Sequence, residues 1–188
     1  MREVDSPVAG LVLGHGAAGG VGTTDLVAAT EVANQHRIAV ALVEQPYVVA
    51  GRRSPAPAKQ LDTAWEAVVG DLLGGPFDGL ALITGGRSAG ARVACRTAAD
   101  VGAVAVLCLA FPVHPPGKGD DPSKSRISEL DALEVPVLVV QGESDPFGMP
   151  PAGRGRTVVE VPGNHSLRDS DAVSAAIADW LPTVLSGP

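Results

Sequence analysis

Six short apolar runs, at 8–13, 38–43, 79–83, 103–109, 135–140 and 157–161, punctuate this chain at intervals too wide for hairpins. Each reads as a strand buried on both faces. Between them, 24–36, 61–73, 89–100, 125–133 and 167–181 carry the spacing of amphipathic helices. Strand alternating with helix predicts a mainly parallel sheet of about six strands, because right-handed crossovers lay the helices on both faces. The expected architecture is therefore a three-layer α/β/α sandwich. With 188 residues, 45% of them apolar and 19% charged, one domain over 1–188 with a full core is expected. Only six residues are aromatic (three Phe, two Trp, one Tyr), so that core must be built from Val, Leu, Ile and Ala.

Charge narrows the partners. Fourteen Lys and Arg against 21 Asp and Glu give a formal net charge of −7, which argues against nucleic acid or an anionic membrane. The longest unbroken apolar stretch, 103–111, is nine residues, far below the roughly 20 needed to cross a bilayer. Cys95 and Cys108 fall in a predicted helix and a predicted buried strand, and no secretory leader precedes the first strand. A reduced, cytoplasmic setting is expected. The loops 51–59 and 111–124, rich in Pro, Gly and charge, leave from strand carboxyl ends, where open α/β sheets bind ligands.

The chemistry concentrates at that edge. Gly86-Arg87-Ser88-Ala89-Gly90 follows one apolar run and opens the next helix. This is a G-x-S-x-G elbow in the strand–turn–helix context that it requires, although an ordinary Gly-rich turn with a Ser cap would use the same residue types. In the elbow, flanking glycines permit a sharp turn that lifts the Ser88 hydroxyl above the sheet. The Ala89 N–H, at the helix N-terminus, can then donate to a developing oxyanion. A serine nucleophile needs a base, and the base an orienting carboxylate. Gln141-Gly142-Glu143-Ser144-Asp145-Pro146 ends one strand in an acidic loop, and Val161-Pro162-Gly163-Asn164-His165 ends the next with a histidine. Asp145 is the preferred acid, with Glu143 the alternative, and His165 the base.

A fourth element, Leu13-Gly14-His15-Gly16-Ala17-Ala18-Gly19-Gly20, also follows a strand. Its Gly14-x-Gly16-x-x-Gly19 spacing matches a dinucleotide fingerprint, with Glu44 placed to reach a ribose hydroxyl. That reading explains one loop and one acid but leaves Ser88, Asp145 and His165 as accidents, and the glycines at 20 and 22 delay the helix that should receive a pyrophosphate.

Six segments carry a family resemblance: LGHGAAG at 13–19, EQPY and AGRR within 44–53, TGGRSAG at 84–90, FPVHPPGK at 111–118, VVQGESDPFG at 139–148 and PGNHS at 162–166. The chain resembles a small α/β-hydrolase of the dienelactone-hydrolase-like group, closest to its KANL/Tex30-type branch. The resemblance implies the chain order nucleophile, acid, base seen here as Ser88, Asp145, His165. It also implies a minimal hydrolase fold without a cap domain, starting at the full fold's third strand, with its six strands in the spatial order second, first, third, fourth, fifth, sixth. It assigns the second oxyanion donor to the Ala17 N–H and makes His15 a loop organiser. Dienelactone hydrolases proper use cysteine where this chain has Ser88, so their lactone substrate does not carry over.

These readings lead us to expect a serine hydrolase acting on a small-molecule ester, thioester or lactone through Ser88, His165 and Asp145. A hydrolase-fold binding or scaffold protein with little catalysis is the alternative. Missing cap sequence suggests an open site for small or flexible acyl groups. His15 and Arg87 are candidate substrate contacts, as are Arg52 and Arg53, while Tyr47 and Phe147 are candidate walls and His114 is expected to be structural. No cofactor is called for, and no His, Cys or Asp cluster has metal-ligand spacing.

Overall fold

The computed structural model describes residues 4–17, 19–52 and 55–185. Six strands form one wholly parallel sheet: β1 (Ala9–Gly14), β2 (Ile38–Val43), β3 (Ala81–Arg87), β4 (Ala105–Leu109), β5 (Val137–Gly142) and β6 (Arg156–Val161). Their order across the sheet is β2-β1-β3-β4-β5-β6, as the resemblance implied. The connections hold helices α1 (Thr24–Gln35), α2 (Pro46–Val49), α3 (Ala58–Leu73), α4 (Ala89–Thr97) and α5 (Ile127–Asp131), and α6 (Ser170–Leu185) follows the last strand. Among the described residues no cap domain interrupts this series.

Strand periodicity builds two cores. Leu11, Leu13, Leu107, Leu109, Leu138 and Val140 pack on one side, with Leu26 and Ala29 of α1 and Ile177 and Leu181 of α6. Their chain neighbours Val12, Val106, Cys108, Val137 and Val139 pack on the other, against Trp65 and Val69 of α3, Val93 of α4 and Leu130 of α5. Burying each Leu or Val side chain contributes about 1.5–3 kcal/mol. Both faces being covered explains why the strands read as continuous apolar runs rather than alternating ones.

The elements differ from the sequence expectation where polar or glycine residues join a strand, or where a cap decides a boundary. β3 runs on through Thr84, Gly85 and Gly86 to Arg87, four residues past its apolar stretch, because Gly86 pairs in register with both Gly14 and Cys108. α6 begins at Ser170 rather than 167: Leu167 has a φ of 43°, outside the right-handed helical region, and Asp169 accepts from the Ala172 N–H at 3.0 Å as the cap. The short α2 begins with Pro46, whose fixed φ suits a first helical position.

Cys95 of α4 and Cys108 of β4 approach to 3.4 Å between sulfurs, both buried as free thiols. The hydrogen bond to Cys108, together with burial, pushes the Cys95 thiol well above its ordinary range. Since the thiolate is the reactive species, the folded protein should leave both thiols unreacted with a disulfide reagent at pH 8 on the time scale of mixing. Two equivalents should react once the chain is unfolded in guanidinium, and rapid labelling of the native state would contradict this packing.

Candidate active site

Three strands of the sheet, β3, β5 and β6, deliver their following loops to one edge, and two more loops join them there. The turn from β3 to α4 holds Ser88 at φ 51° and ψ −108°, a conformation that costs a non-glycine residue on the order of 1–3 kcal/mol. Backbone contact enforces it. A β-carbon on Gly90 would strike the Gly14 carbonyl, with the His15 carbonyl 2.9 Å away, and one on Gly86 would strike the Gly14 carbonyl too. The β1 chain end therefore presses directly on the elbow, and only glycine fits at either position.

Ser88, His165 and Asp145 form a continuous relay. His165 Nε2 lies 2.9 Å from Ser88 Oγ, and His165 Nδ1 lies 2.8 Å from Asp145 Oδ2. The Asp145 side chain is almost fully buried and that of His165 mostly so. With Asp145 as acceptor, Nδ1 is the donor, and the lone pair of Nε2 is then turned toward the hydroxyl. Glu143, the alternative acid, is exposed. Phe147 lies edge-on to the imidazole, with ring centroids 4.4 Å apart, so it does wall the base.

Gln141, which sequence reasoning missed, holds the acid. It is wholly buried at the end of β5, and its Nε2 reaches Asp145 Oδ2 at 2.9 Å, the Gly148 carbonyl at 2.8 Å and the Phe111 carbonyl at 3.1 Å. Flipping the amide would set Oε1 against these three oxygens, which fixes its orientation. The Phe147 N–H donates to the other Asp145 oxygen at 2.9 Å. The only signal was a polar residue directly after an apolar run, and that pattern has many causes.

The glycine loop after β1 packs against the same centre. A β-carbon on Gly16 would lie 3.2 Å from Ser88 Cβ, so the Gly16–Ala17 peptide runs beside the serine. Ala89, the first residue of α4, has an amide with no intrahelical acceptor. His15 is corrected as a substrate contact: it is buried, its Nε2 accepts from the Gln45 N–H at 2.9 Å, and its Nδ1 donates to the Gly16 carbonyl at 2.6 Å. Both ring nitrogens are spent organising the loop. Tyr47 is buried beside it and its hydroxyl reaches the Ala17 carbonyl at 3.4 Å. Burial raises the phenol's pKa and keeps it a neutral donor.

Arg87 is corrected in the same way, since its guanidinium meets Asp25 and the His165 main chain rather than open space. The first two glycines of the dinucleotide-like spacing serve packing around the elbow: Gly14 faces the Trp65 ring and Gly90, and Gly16 faces Arg87 and Ser88. His114 bonds the neighbouring Pro115 carbonyl at 3.0 Å within its own loop. Arg52 is exposed, whereas Arg53 lies outside the described residues. Among the described residues, no group of three or more His, Cys, Asp or Glu could hold a metal, and no helix is long and apolar enough to cross a membrane.

A family model for the alpha/beta hydrolase domain matches residues 7–171. The chain belongs to that family. Among solved structures, this hydrolase domain is similar to Est1E from Butyrivibrio proteoclasticus, with 17% identity, a TM-score of 0.73, and 96% of this chain and 90% of that one covered. A serine hydrolase without a lid from Xanthomonas campestris is similar too, at 20% identity and a TM-score of 0.69, covering 96% of this chain and 86% of that one. The esterase domain of a Rhodothermus marinus protein matches at 15% identity and a TM-score of 0.70, over 97% and 89%. No curated protein matches in sequence. At these identities the likeness is one of fold.

Two substitutions test the geometry without any assay of activity. Gly90→Ala should destabilise the hydrolase domain by about 1–3 kcal/mol through overpacking, although alanine is favoured in helices by about 1 kcal/mol. Gln141→Leu strips partners from two carbonyls and a carboxylate oxygen, at about 1–3 kcal/mol for each group left unpaired. Urea denaturation measures both, and a Gly90→Ala protein as stable as wild type would refute the close contact.

Proposed function

We propose that this alpha/beta hydrolase is a serine hydrolase of small-molecule carboxylic esters, thioesters or lactones, acting as one domain over residues 1–188. The observation that carries the reading is the Ser88–His165–Asp145 relay, with hydrogen bonds of 2.9 and 2.8 Å and the serine held on a strained turn. His165 Nε2 takes the hydroxyl proton as Ser88 Oγ attacks the carbonyl carbon, while Asp145 keeps the imidazole in the Nδ1–H tautomer and stabilises the imidazolium. The N–H groups of Ala89 and Ala17 receive the oxyanion. The imidazolium then protonates the leaving alcohol or thiol, and water, deprotonated by His165, releases the acid from the acyl-enzyme.

Substrate class follows from the surroundings. With no cap over the edge, the site suits acyl groups presented from solvent. A cleft of about 270 Å³ beside the end of β2, lined by Val43, Glu44, Pro46, Val49, Leu61 and Trp65, is a candidate place for a short acyl or aryl group, although Ser88, Asp145 and His165 do not line it. Est1E, one of the structural neighbours, has been crystallised with ferulic acid, and an aromatic acid of that kind belongs in the trial series. The motifs at 13–19, 84–90, 139–148 and 162–166 support placement in the dienelactone-hydrolase-like, KANL/Tex30-type branch.

A fluorophosphonate probe and a series of chromogenic esters of rising acyl length test this reading. Wild type should label and turn over short esters, and Ser88→Ala and His165→Ala should each lower kcat by a factor of at least about a thousand. Their double variant should be no worse than either alone, because the residues act as a unit. A folded wild type that neither labels nor cleaves any ester would reject the enzyme and favour a binding role for the fold.

A further inference from the structure

We propose that Arg87 is a positioning residue which, paired with Asp25, clamps the loop that carries the base; the inference rests on the serine-hydrolase reading of the same site. Three nitrogens of one guanidinium face three different segments. Nε lies 2.9 Å from Asp25 Oδ2 in the first turn of α1. Nη2 donates to the main-chain carbonyl of His165 at 2.9 Å. Nη1 lies against the glycine loop, where a β-carbon on Gly16 would come within 2.9 Å of it. Arg87 itself is the residue before Ser88, so the nucleophile, the base and the loop of the second oxyanion donor meet at one planar cation.

The counter-ion is an ion-pair partner fixed at a helix start. Asp25 is wholly buried, and its Oδ1 accepts from the Leu26 N–H at 2.9 Å. It lies at the positive end of the α1 dipole, where an acidic side chain is favoured. The base loop needs such a hold. His165 sits between β6 and α6, two residues before Leu167, whose φ of 43° breaks regular structure. Arg87 reaches the main chain of His165 itself, and so fixes the height of the imidazole above Ser88. The guanidinium presents Nε and Nη2 in fixed, diverging directions toward the aspartate and the carbonyl, a rigid fork that the flexible ammonium of lysine lacks.

Arg87→Lys and Arg87→Ala, compared with wild type on the best ester, test the clamp. Each should lower kcat by about tenfold to a hundredfold, the scale of a small misplacement of a catalytic group, with KM nearly unchanged. Added guanidinium ion should restore part of the kcat of Arg87→Ala by refilling its place. A proton NMR spectrum supplies a readout independent of turnover: the far-downfield His165 Nδ1–H signal of wild type should weaken or shift in both variants. A raised KM with kcat retained would make Arg87 a substrate contact and overturn the clamp, as would variants that leave kcat and the NMR signal untouched. A wild type without turnover or labelling, whose downfield signal still depends on Arg87, would sink the hydrolase reading and spare the clamp. Should the Arg87 variants fail to fold, the near-isosteric Asp25→Asn must show the same losses in kcat and signal, and its indifference would equally overturn the proposal.

Discussion

The contact on which the site depends is between backbone and backbone, where the end of β1 at Gly14 presses on Gly86 and Gly90 either side of the elbow. Adjacent parallel strands ordinarily keep their spacing through the ladder, and side chains fill the gap above them. Here β1 and β3 remain paired to the last residue of β1, Gly14 with Gly86, so the chain leaving β3 has no lateral room. It turns upward at Ser88 and re-enters as α4 directly over Gly14. The positive φ of Ser88 is a consequence of this crowding, and the two sheet cores on either side supply the energy that sustains it.

Once the elbow is fixed, polar partners need only be hung from neighbouring strand ends. The acid is pinned by groups from its own strand and turn: the Gln141 amide below it and the Phe147 N–H beside it. His165 instead sits between β6 and α6 and is held by groups from other segments, through its bond to Asp145 and the contact of Arg87 with its carbonyl. This division makes physical sense. A carboxylate buried without donors would be costly, so its partners lie close in sequence and form as β5 forms. The imidazole must only be aimed, and main-chain tethering is enough for that.

Much of this was legible in the chain because both strand burial and the elbow write themselves into residue type. Runs such as 103–109 are apolar throughout since both faces of the sheet are covered, and Gly86 and Gly90 are glycine since no β-carbon fits. Serine, acid and base each follow a strand, so their convergence on one edge follows from parallel topology. What could not be read was direction. His15 and Arg87 lie at that edge, yet whether a polar side chain faces solvent or the interior depends on partners 30 to 80 residues away, such as Gln45 and the His165 carbonyl. The extension of β3 into Gly85-Gly86-Arg87 was invisible for a related reason. Those residues have no strand propensity of their own and are held by pairing with β1 and β4.

Among the described residues, five carry positive φ without being glycine: Ser6 and Arg37 precede β1 and β2, whereas Ser88, Ala110 and Leu167 follow the carboxyl ends of β3, β4 and β6. Ala110 is instructive because it is fully buried and has no polar group to contribute. Its N–H bonds the Val140 carbonyl, and the preceding Leu109 carbonyl takes the Ser88 N–H at 2.9 Å. The bend at Ala110 thus comes one residue after the carbonyl that anchors the elbow, and it turns the chain away before it could crowd Ser88. Strain at Ser88 and Ala110 is therefore shared between neighbouring strand ends, and each of these two residues hangs from a strand with two hydrogen-bonded neighbours. β6 is an edge strand held from one side, and the residue it delivers, His165, is the one whose main chain Arg87 reaches.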